Sequence, residues 1–130
     1  MTGLDTYILV RYILRDEPVQ SAKAERLVEQ FTESDPGFIS AIAVVEIAWV
    51  LESVYEFRRN EIAAAIQRML QIDVLIVEHR FEIYLAIAAF KQRRGDFADA
   101  LIGAINARAG CGRTVTFDRK AARLPHFQLL

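Results

Sequence analysis

Short apolar runs that alternate with longer helical segments restrict the fold of this chain most. Val74 to Val77 is a continuous apolar run between two segments with helical spacing, which is typical of a strand covered on both faces of a sheet. Strands that are joined by helices usually pair in parallel. The pattern therefore predicts an α/β fold around a central parallel sheet of four or five strands.

The element boundaries follow from periodicity and from turn and cap signals. The predicted strands are residues 2–5, Phe38–Ser40, Val74–Val77, Arg113–Phe117 and Phe127–Leu130, the last at an edge. The predicted helices are Thr6–Arg15, Pro18–Glu33, Ala41–Tyr55, Arg58–Gln71, Arg80–Arg93 and a helix that begins at Asp96 and stops at Gly110. Neither a linker nor a repeat interrupts the pattern, so we expect one domain over residues 1–130.

Composition places the chain among globular proteins. Its 130 residues are 53% hydrophobic and 25% charged, which suffices for a core. No apolar run reaches the roughly 18 residues of a membrane-spanning helix, and no secretory leader is recognisable. The single cysteine, Cys111, excludes an intrachain disulfide. We therefore expect a cytoplasmic protein without a membrane partner.

Charge is unevenly distributed although the formal net charge is only −1. The N-terminal half is net acidic and the C-terminal half net basic. Such basic groups could neutralise the phosphates of a nucleic acid, or they could form an ordinary solvated face. They are Arg93, Arg94, Arg108, Arg113, Arg119, Lys120 and Arg123.

Several classes of site are disfavoured by what the chain lacks. His79 and His126 are its only histidines and do not have the spacing of zinc ligands. The glycine patterns of dinucleotide-binding and nucleoside-triphosphate enzymes are missing. The chain offers no convincing cysteine, lysine or histidine nucleophile.

Four acidic residues lie near the ends of apolar runs: Asp5, Glu46, Asp99 and Asp118. Ligands of open α/β sheets bind at the carboxyl ends of the strands, so we expect these acids on one side of the fold. Carboxylates that share a cleft repel each other and need a cation, and oxygen ligands suit Mg²⁺ or Mn²⁺. The set predicts a metal-dependent hydrolase that acts on phosphate esters.

Each acid also has a structural alternative. Glu46 interrupts an apolar helix, so we expect it to be buried unless it is partly exposed and paired with an arginine. Asp5 could be a helix N-cap, and Asp118 could be a turn residue. Asp96 is assigned mainly to the N-cap of the sixth helix, with Asp99 in its first turn.

Two hydroxyls and one tyrosine complete the candidate site. Thr6 and Thr116 could orient a carboxylate or a water molecule. An aspartyl-phosphate mechanism with Asp5 as nucleophile is disfavoured, because Tyr7 occupies the place where that chemistry usually has a second acid.

Four stretches together resemble the PIN-domain family, specifically the VapC-type toxins of toxin–antitoxin pairs. They are Gly3–Tyr12, Ile39-Ser40 with Glu46, Asp96–Ile102 and Thr114–Arg119. The resemblance implies a three-layer α/β/α sandwich and an endoribonuclease that depends on Mg²⁺ or Mn²⁺. It also implies a homodimer that a small cognate antitoxin inhibits. The acidic set of the family falls on Asp5, Glu46, Asp99 and Asp118, with Asp96, Thr6 and Thr116 accessory.

Tyr7 departs from the family pattern, which often has asparagine there. An amide that could orient Asp5 or a water molecule is then missing, and we expect lower metal affinity or a substitute donor. The alternative function is a catalytically weak PIN-like domain that serves as a binding or assembly module. A groove for a partner helix or a dimer contact could involve Trp49, Val50, Tyr55 and Phe57, unless these residues pack in the core.

Overall fold

The computed structural model describes residues 1–92 and 94–130. Within it the chain forms two compact units, Met1–Glu78 and His79–Leu130. Arg93, predicted as the last residue of a helix and as one of the basic residues, lies outside the described residues.

The first unit is built on a parallel sheet whose strand order is β1-β2-β3. Its elements in chain order are β1 (Thr2–Gly3), α1 (Thr6–Leu14), α2 (Pro18–Glu29), β2 (Gly37–Ile39), α3 (Ala41–Ser53), α4 (Arg59–Leu70) and β3 (Leu75–Val77). Gly37 pairs with both Thr2 and Leu75, which aligns the three strands in one register. Two helices therefore connect each strand to the next.

Local signals set the helix starts of this unit. Pro18 stands at the first position of α2, where its fixed φ and missing N–H are tolerated. The Ser40 hydroxyl accepts a hydrogen bond of 3.2 Å from the Ala43 backbone N–H, so its predicted role as the cap of α3 is confirmed.

Helix α2 ends at Glu29, four residues before the predicted end at Glu33. The chain turns there because the Asp35 N–H donates to both the backbone oxygen and the hydroxyl of Thr32. Side-chain bonds of this kind compete with continued helix.

Apolar side chains of the helices and of β2 form the core of the first unit. The most completely buried are Leu9, Val10, Ile39, Val44, Ile47, Leu51, Ile62, Ile66, Met69 and Leu70. At its surface, Arg11 donates hydrogen bonds to the Tyr55 hydroxyl and to Gln20, while that hydroxyl donates to Asp16. Tyr55 is thus engaged within the unit, and Val50 is buried.

The second unit pairs two helices with two short strands. Its elements are α5 (Arg80–Lys91), α6 (Phe97–Arg108), β4 (Thr114–Thr116), a 3₁₀ turn (Ala121–Arg123) and β5 (Phe127–Leu129). The rings of Phe90 and Phe97 meet edge to face at 6.2 Å. Gly103 lets α6 approach β5, since a Cβ there would clash with the Phe127 ring.

The α/β class and the parallel pairing are confirmed, but the predicted sheet of four or five strands is not. Among the described residues the sheet has three strands, and β4 pairs in parallel with β5 instead. The Thr114 N–H donates to the His126 oxygen, and the Leu130 N–H donates to the Thr116 oxygen. Apolar runs identify strands but not their partners, which contacts between distant segments of the chain decide.

In the part of the chain that the structure describes, every helix is too short or too polar to span a bilayer.

Helix α3 offers a matched test of the core. Ile47→Ala should lower the free energy of unfolding by about 2–5 kcal/mol, because Ile47 is fully buried and its truncation leaves a cavity. Ile42→Ala, on the exposed side of the same helix, should change it by less than about 0.5 kcal/mol. Denaturant unfolding measures both, and equal losses would contradict the assigned helix faces.

Candidate active site

The four predicted acids fall into two pairs, one in each unit. Asp5 follows β1 and Glu46 lies in the second turn of α3, both in the first unit. Asp99 lies in the first turn of α6 and Asp118 follows β4, both in the second unit.

Asp5 has the extended backbone of a helix N-cap, with φ −81° and ψ 160°. Its side chain nevertheless makes no capping hydrogen bond, and it is exposed. The carboxylate is therefore not used to stabilise α1 and remains available to a ligand.

The Thr6 hydroxyl, which is buried, donates a hydrogen bond of 2.7 Å to Glu46 Oε2. This bond joins the first turn of α1 to the second turn of α3. It restricts the rotamers of Glu46, so the carboxylate is held in one orientation beside the helix that Asp5 precedes.

The predicted burial of Glu46 is wrong. Glu46 is exposed, and so are its neighbours one turn away, Ile42 (74%) and Trp49 (63%). The apolar residues that surround Glu46 in sequence extend around the whole helix, so they do not define its buried face.

Asp96 caps α6 as predicted, because its Oδ1 accepts a hydrogen bond of 2.7 Å from the Asp99 N–H. Burial raises the pKa of the Asp99 carboxyl to about 6, with further contributions from the charge and hydrogen bond of Asp96 and the charge of Asp118. The second unit thus holds a partly buried carboxyl crowded by like charges.

Asp118 takes part in a turn, as its structural alternative proposed. Its Oδ1 accepts a 2.8 Å hydrogen bond from the Lys120 N–H, and its own N–H donates to the Thr116 hydroxyl at 3.0 Å. The Thr116 hydroxyl therefore positions the backbone of Asp118, and the turn leaves the second carboxylate oxygen of Asp118 for other partners.

The carboxylates fit a hard divalent cation by their chemistry. Within the described residues, Asp5, Glu46, Asp99 and Asp118 form no ion pair with a lysine, arginine or histidine. Oxygen donors without a cationic partner are those that Mg²⁺ and Mn²⁺ prefer. Among the described residues of either unit, however, no three acidic, histidine or cysteine side chains lie close enough together to hold an ion by themselves.

Two acidic residues of structural importance were missed. Glu78 directly follows β3, and its Oε1 accepts a 2.9 Å hydrogen bond from the Ala41 N–H at the start of α3. Its position after a strand is the same signal that identified Asp5. Glu82 is buried on α5, where its carboxylate lies 3.7 Å from Arg108 Nε and 3.9 Å from His79 Nδ1. Glu82 does not follow a strand, so the sequence gave no signal for it.

Residues 4–126 match the family model of the PIN domain. The chain therefore belongs to the PIN domain family, and the resemblance found in the four sequence stretches is confirmed. Over 124 residues it is 24% identical to the VapC ribonuclease of Aquifex aeolicus (strain VF5), in an alignment that covers 95% of this chain and 92% of the relative.

Asp99→Asn should stabilise the metal-free protein at neutral pH. In the native state the pKa of Asp99 is raised from 3.8 to about 6. Protonation of Asp99 therefore stabilises the folded protein. This stabilisation is fully present below pH 3.8 and is lost as the pH rises through 6. The wild type should therefore lose free energy of unfolding relative to Asp99→Asn between these pH values.

Denaturant unfolding in a chelator, from pH 4 to pH 7, measures this difference. Asp73→Asn, in the turn before β3, is the control and should run parallel to the wild type. If the free energy of unfolding changed with pH in the same way for Asp99→Asn and the wild type, the crowding of Asp99 would be refuted.

Proposed function

We propose that this protein is a metal-dependent endoribonuclease toxin that hydrolyses RNA phosphodiester bonds. Membership of the PIN domain family and similarity to a VapC ribonuclease support this class of activity. The observation that carries the proposal is the Thr6–Glu46 hydrogen bond, which orients one carboxylate at the start of the helix that Asp5 precedes. Among the described residues neither carboxylate has a cationic partner, and one of them is held in a fixed orientation, which suits a catalytic Mg²⁺ or Mn²⁺ site.

Asp5, Glu46, Asp99 and Asp118 are proposed to hold one or two Mg²⁺ or Mn²⁺ ions. The ion, when bound, would neutralise charge on the phosphodiester and make water acidic enough to act as a nucleophile at neutral pH. Thr6 would hold Glu46 in one orientation for this role. Asp96 and Thr116 act indirectly, since they fix the backbone of Asp99 and Asp118.

Basic residues that follow the second pair of acids are proposed to position the RNA backbone. Arg119 and Lys120 come directly after Asp118, and both are exposed. Their charges would offset the repulsion between the acidic residues and the phosphates of the substrate.

The remaining features of the proposal come from the VapC-type resemblance. We propose a single domain over residues 1–130 with a three-layer α/β/α arrangement, which forms a homodimer in the cytoplasm. A small cognate antitoxin would neutralise the nuclease.

Asp5→Asn and Asp99→Asn should each lower RNA cleavage by roughly 100-fold or more. Each substitution keeps the shape of the side chain but removes a negative charge that holds the ion, and loss of one electrostatic group at a catalytic centre has effects of this size. Cleavage of single-stranded RNA with Mg²⁺, with Mn²⁺ and with a chelator measures the effect.

Asp73→Asn is the matched control and should cleave like the wild type, which excludes a general effect of lost charge. Calorimetric titration with Mn²⁺ then separates a nuclease from a binding module. A nuclease should bind Mn²⁺ in the wild type and more weakly in Asp5→Asn. Undiminished cleavage in both aspartate variants would show that the ligand set is wrong.

Expression of the chain alone should arrest bacterial growth, because free RNA is cut when no inhibitor is present. Co-expression of the small open reading frame adjacent to its gene should restore growth. Growth curves, with mapping of the new RNA ends, check the antitoxin and the substrate together. Normal growth despite measured RNA cleavage in vitro would argue against a toxin.

A further inference from the structure

A cavity of about 480 Å³ lies in the second unit, between α5, α6 and the loop that precedes β5. Small ligands bind in pockets of roughly 300–1,000 Å³ that have mostly apolar walls and a few placed polar groups. The walls here have this character, since side chains such as Leu85, Ala104 and Leu124 supply most of them. Among the described lining residues none is a candidate acid, so the cavity is not part of the candidate active site.

Glu82 is the polar group of this cavity that packing alone does not explain. The residue is only 5% exposed and lines the cavity near the start of α5. Arg108 Nε lies 3.7 Å from its Oε1 and His79 Nδ1 lies 3.9 Å from its Oε2, both beyond hydrogen-bond distance. Among the described residues, therefore, no donor forms a hydrogen bond with this carboxylate. Buried acceptors are costly without a donor, so a ligand that supplies one is favoured.

Arg108 decides which kind of donor suits Glu82. Its guanidinium lies 5.4 Å from the centre of the Phe81 ring and balances the charge of Glu82. A second cation at Glu82 would be repelled by this guanidinium, whereas a neutral N–H group would not. An ionised carboxylate can only accept hydrogen bonds. Glu82 therefore fits an amino group on a neutral ring.

The cavity offers a cation at the other end of α5. Gln92 and Arg94 line it ten and twelve residues after Glu82, and ten helical residues span about 15 Å. Arg94 is exposed and forms no ion pair among the described residues, so its charge is available to an anion. The described lining holds two arginines and one glutamate, a net charge of +1 with neutral histidine, which also favours an anion.

Volume argues against a protein helix as the occupant. A helix about 10 Å across and 15 Å long fills roughly 1,200 Å³, which exceeds the volume of the cavity. A nucleotide is smaller and has the required polarity, because an amino group on its flat base is the donor and its phosphate is the anion.

We propose that this cavity binds a mononucleotide whose base carries an exocyclic amino group. The amino group donates to Glu82, the base lies against the apolar walls of α5 and α6, and the phosphate reaches Arg94. Carboxylates recognise the amino group of cytosine in this way. The site goes beyond the proposed nuclease function, because it uses neither the candidate acids nor a metal ion.

Calorimetric titration of the wild type in a chelator tests the site, because the chelator removes binding through a metal ion. CMP is compared with UMP, and AMP with IMP, since the second nucleotide of each pair has an oxygen in place of the amino group. At least one amino-bearing nucleotide should bind, with one site per chain. Its partner should bind roughly 5- to 150-fold more weakly, because its oxygen would face the Glu82 carboxylate without a proton between them.

Equal affinities within both pairs would overturn the proposal, because the amino group would then not be recognised. Failure of all four nucleotides to bind would overturn it as well.

Glu82→Gln tests the recognition directly. The amide of glutamine both donates and accepts, so the affinities within the pair should come to within about threefold of each other. Denaturant unfolding checks that the variant is folded. Discrimination as strong as in the wild type would show that Glu82 does not contact the amino group.

Two further variants locate the nucleotide. Ala104→Leu fills the cavity from α6, and Arg94→Ala removes the cation for the phosphate, so each should weaken binding by roughly 10-fold or more. Lys91→Ala is the matched control, because it removes an equal charge at the end of α5 outside the cavity lining, and it should leave the affinity unchanged. Unchanged binding in both Ala104→Leu and Arg94→Ala would place the nucleotide elsewhere and overturn the proposal.

Other occupants of the cavity give different results. A number of sites per chain that falls as the protein concentration rises would show that a second copy of the chain covers the cavity, which would overturn the proposal. Tighter binding of a ten-nucleotide strand than of the mononucleotide, lost in Ala104→Leu, would assign the cavity to RNA and also overturn it. Failure of the wild type to cleave RNA would refute the nuclease function and would leave these binding measurements unaffected.

Discussion

Parallel pairing of β1, β2 and β3 is the constraint on which the first unit depends. Parallel strands end at one edge of a sheet, so the polar residues that follow them, Asp5, Ser40 and Glu78, come to the same edge. Ser40 and Glu78 both accept hydrogen bonds from the start of α3. Asp5, at the same edge, makes no capping hydrogen bond with its side chain. The edge thus carries two side chains that stabilise the start of α3 and one carboxylate that the proposed function assigns to a metal ion.

Crowding of carboxylates at the start of α6 costs stability when Asp99 is ionised. Asp99 is partly buried beside Asp96 and Asp118, and its raised pKa shows that the native state resists its ionisation. Shifted pKa values of this kind cluster at functional sites. In the proposed function, a divalent cation bound to these carboxylates would offset this repulsion.

Most of the secondary structure was predictable, because the local signals were strong. Pro18, Ser40 and Asp96 mark helix starts at which the structure also begins a helix. Helix ends were less predictable, as the early end of α2 shows, because side-chain hydrogen bonds in the following turn decide them. Strand partners were not predictable: β4 has the β-branched residues of a sheet strand, but its backbone groups pair with β5 and not with the three-stranded sheet.

The sequence by itself determined the α/β alternation, the parallel pairing, the helix starts and the acids worth testing. Only the tertiary structure decided which of these acids are exposed, oriented or capped. Helix α3 shows the reason most clearly, because it is apolar on nearly all sides and its periodicity cannot select a buried face. Packing against α1 and α4 buries Ile47 and Leu51 and leaves Glu46 and Trp49 in water. The exposure of Glu46 follows from that choice of face.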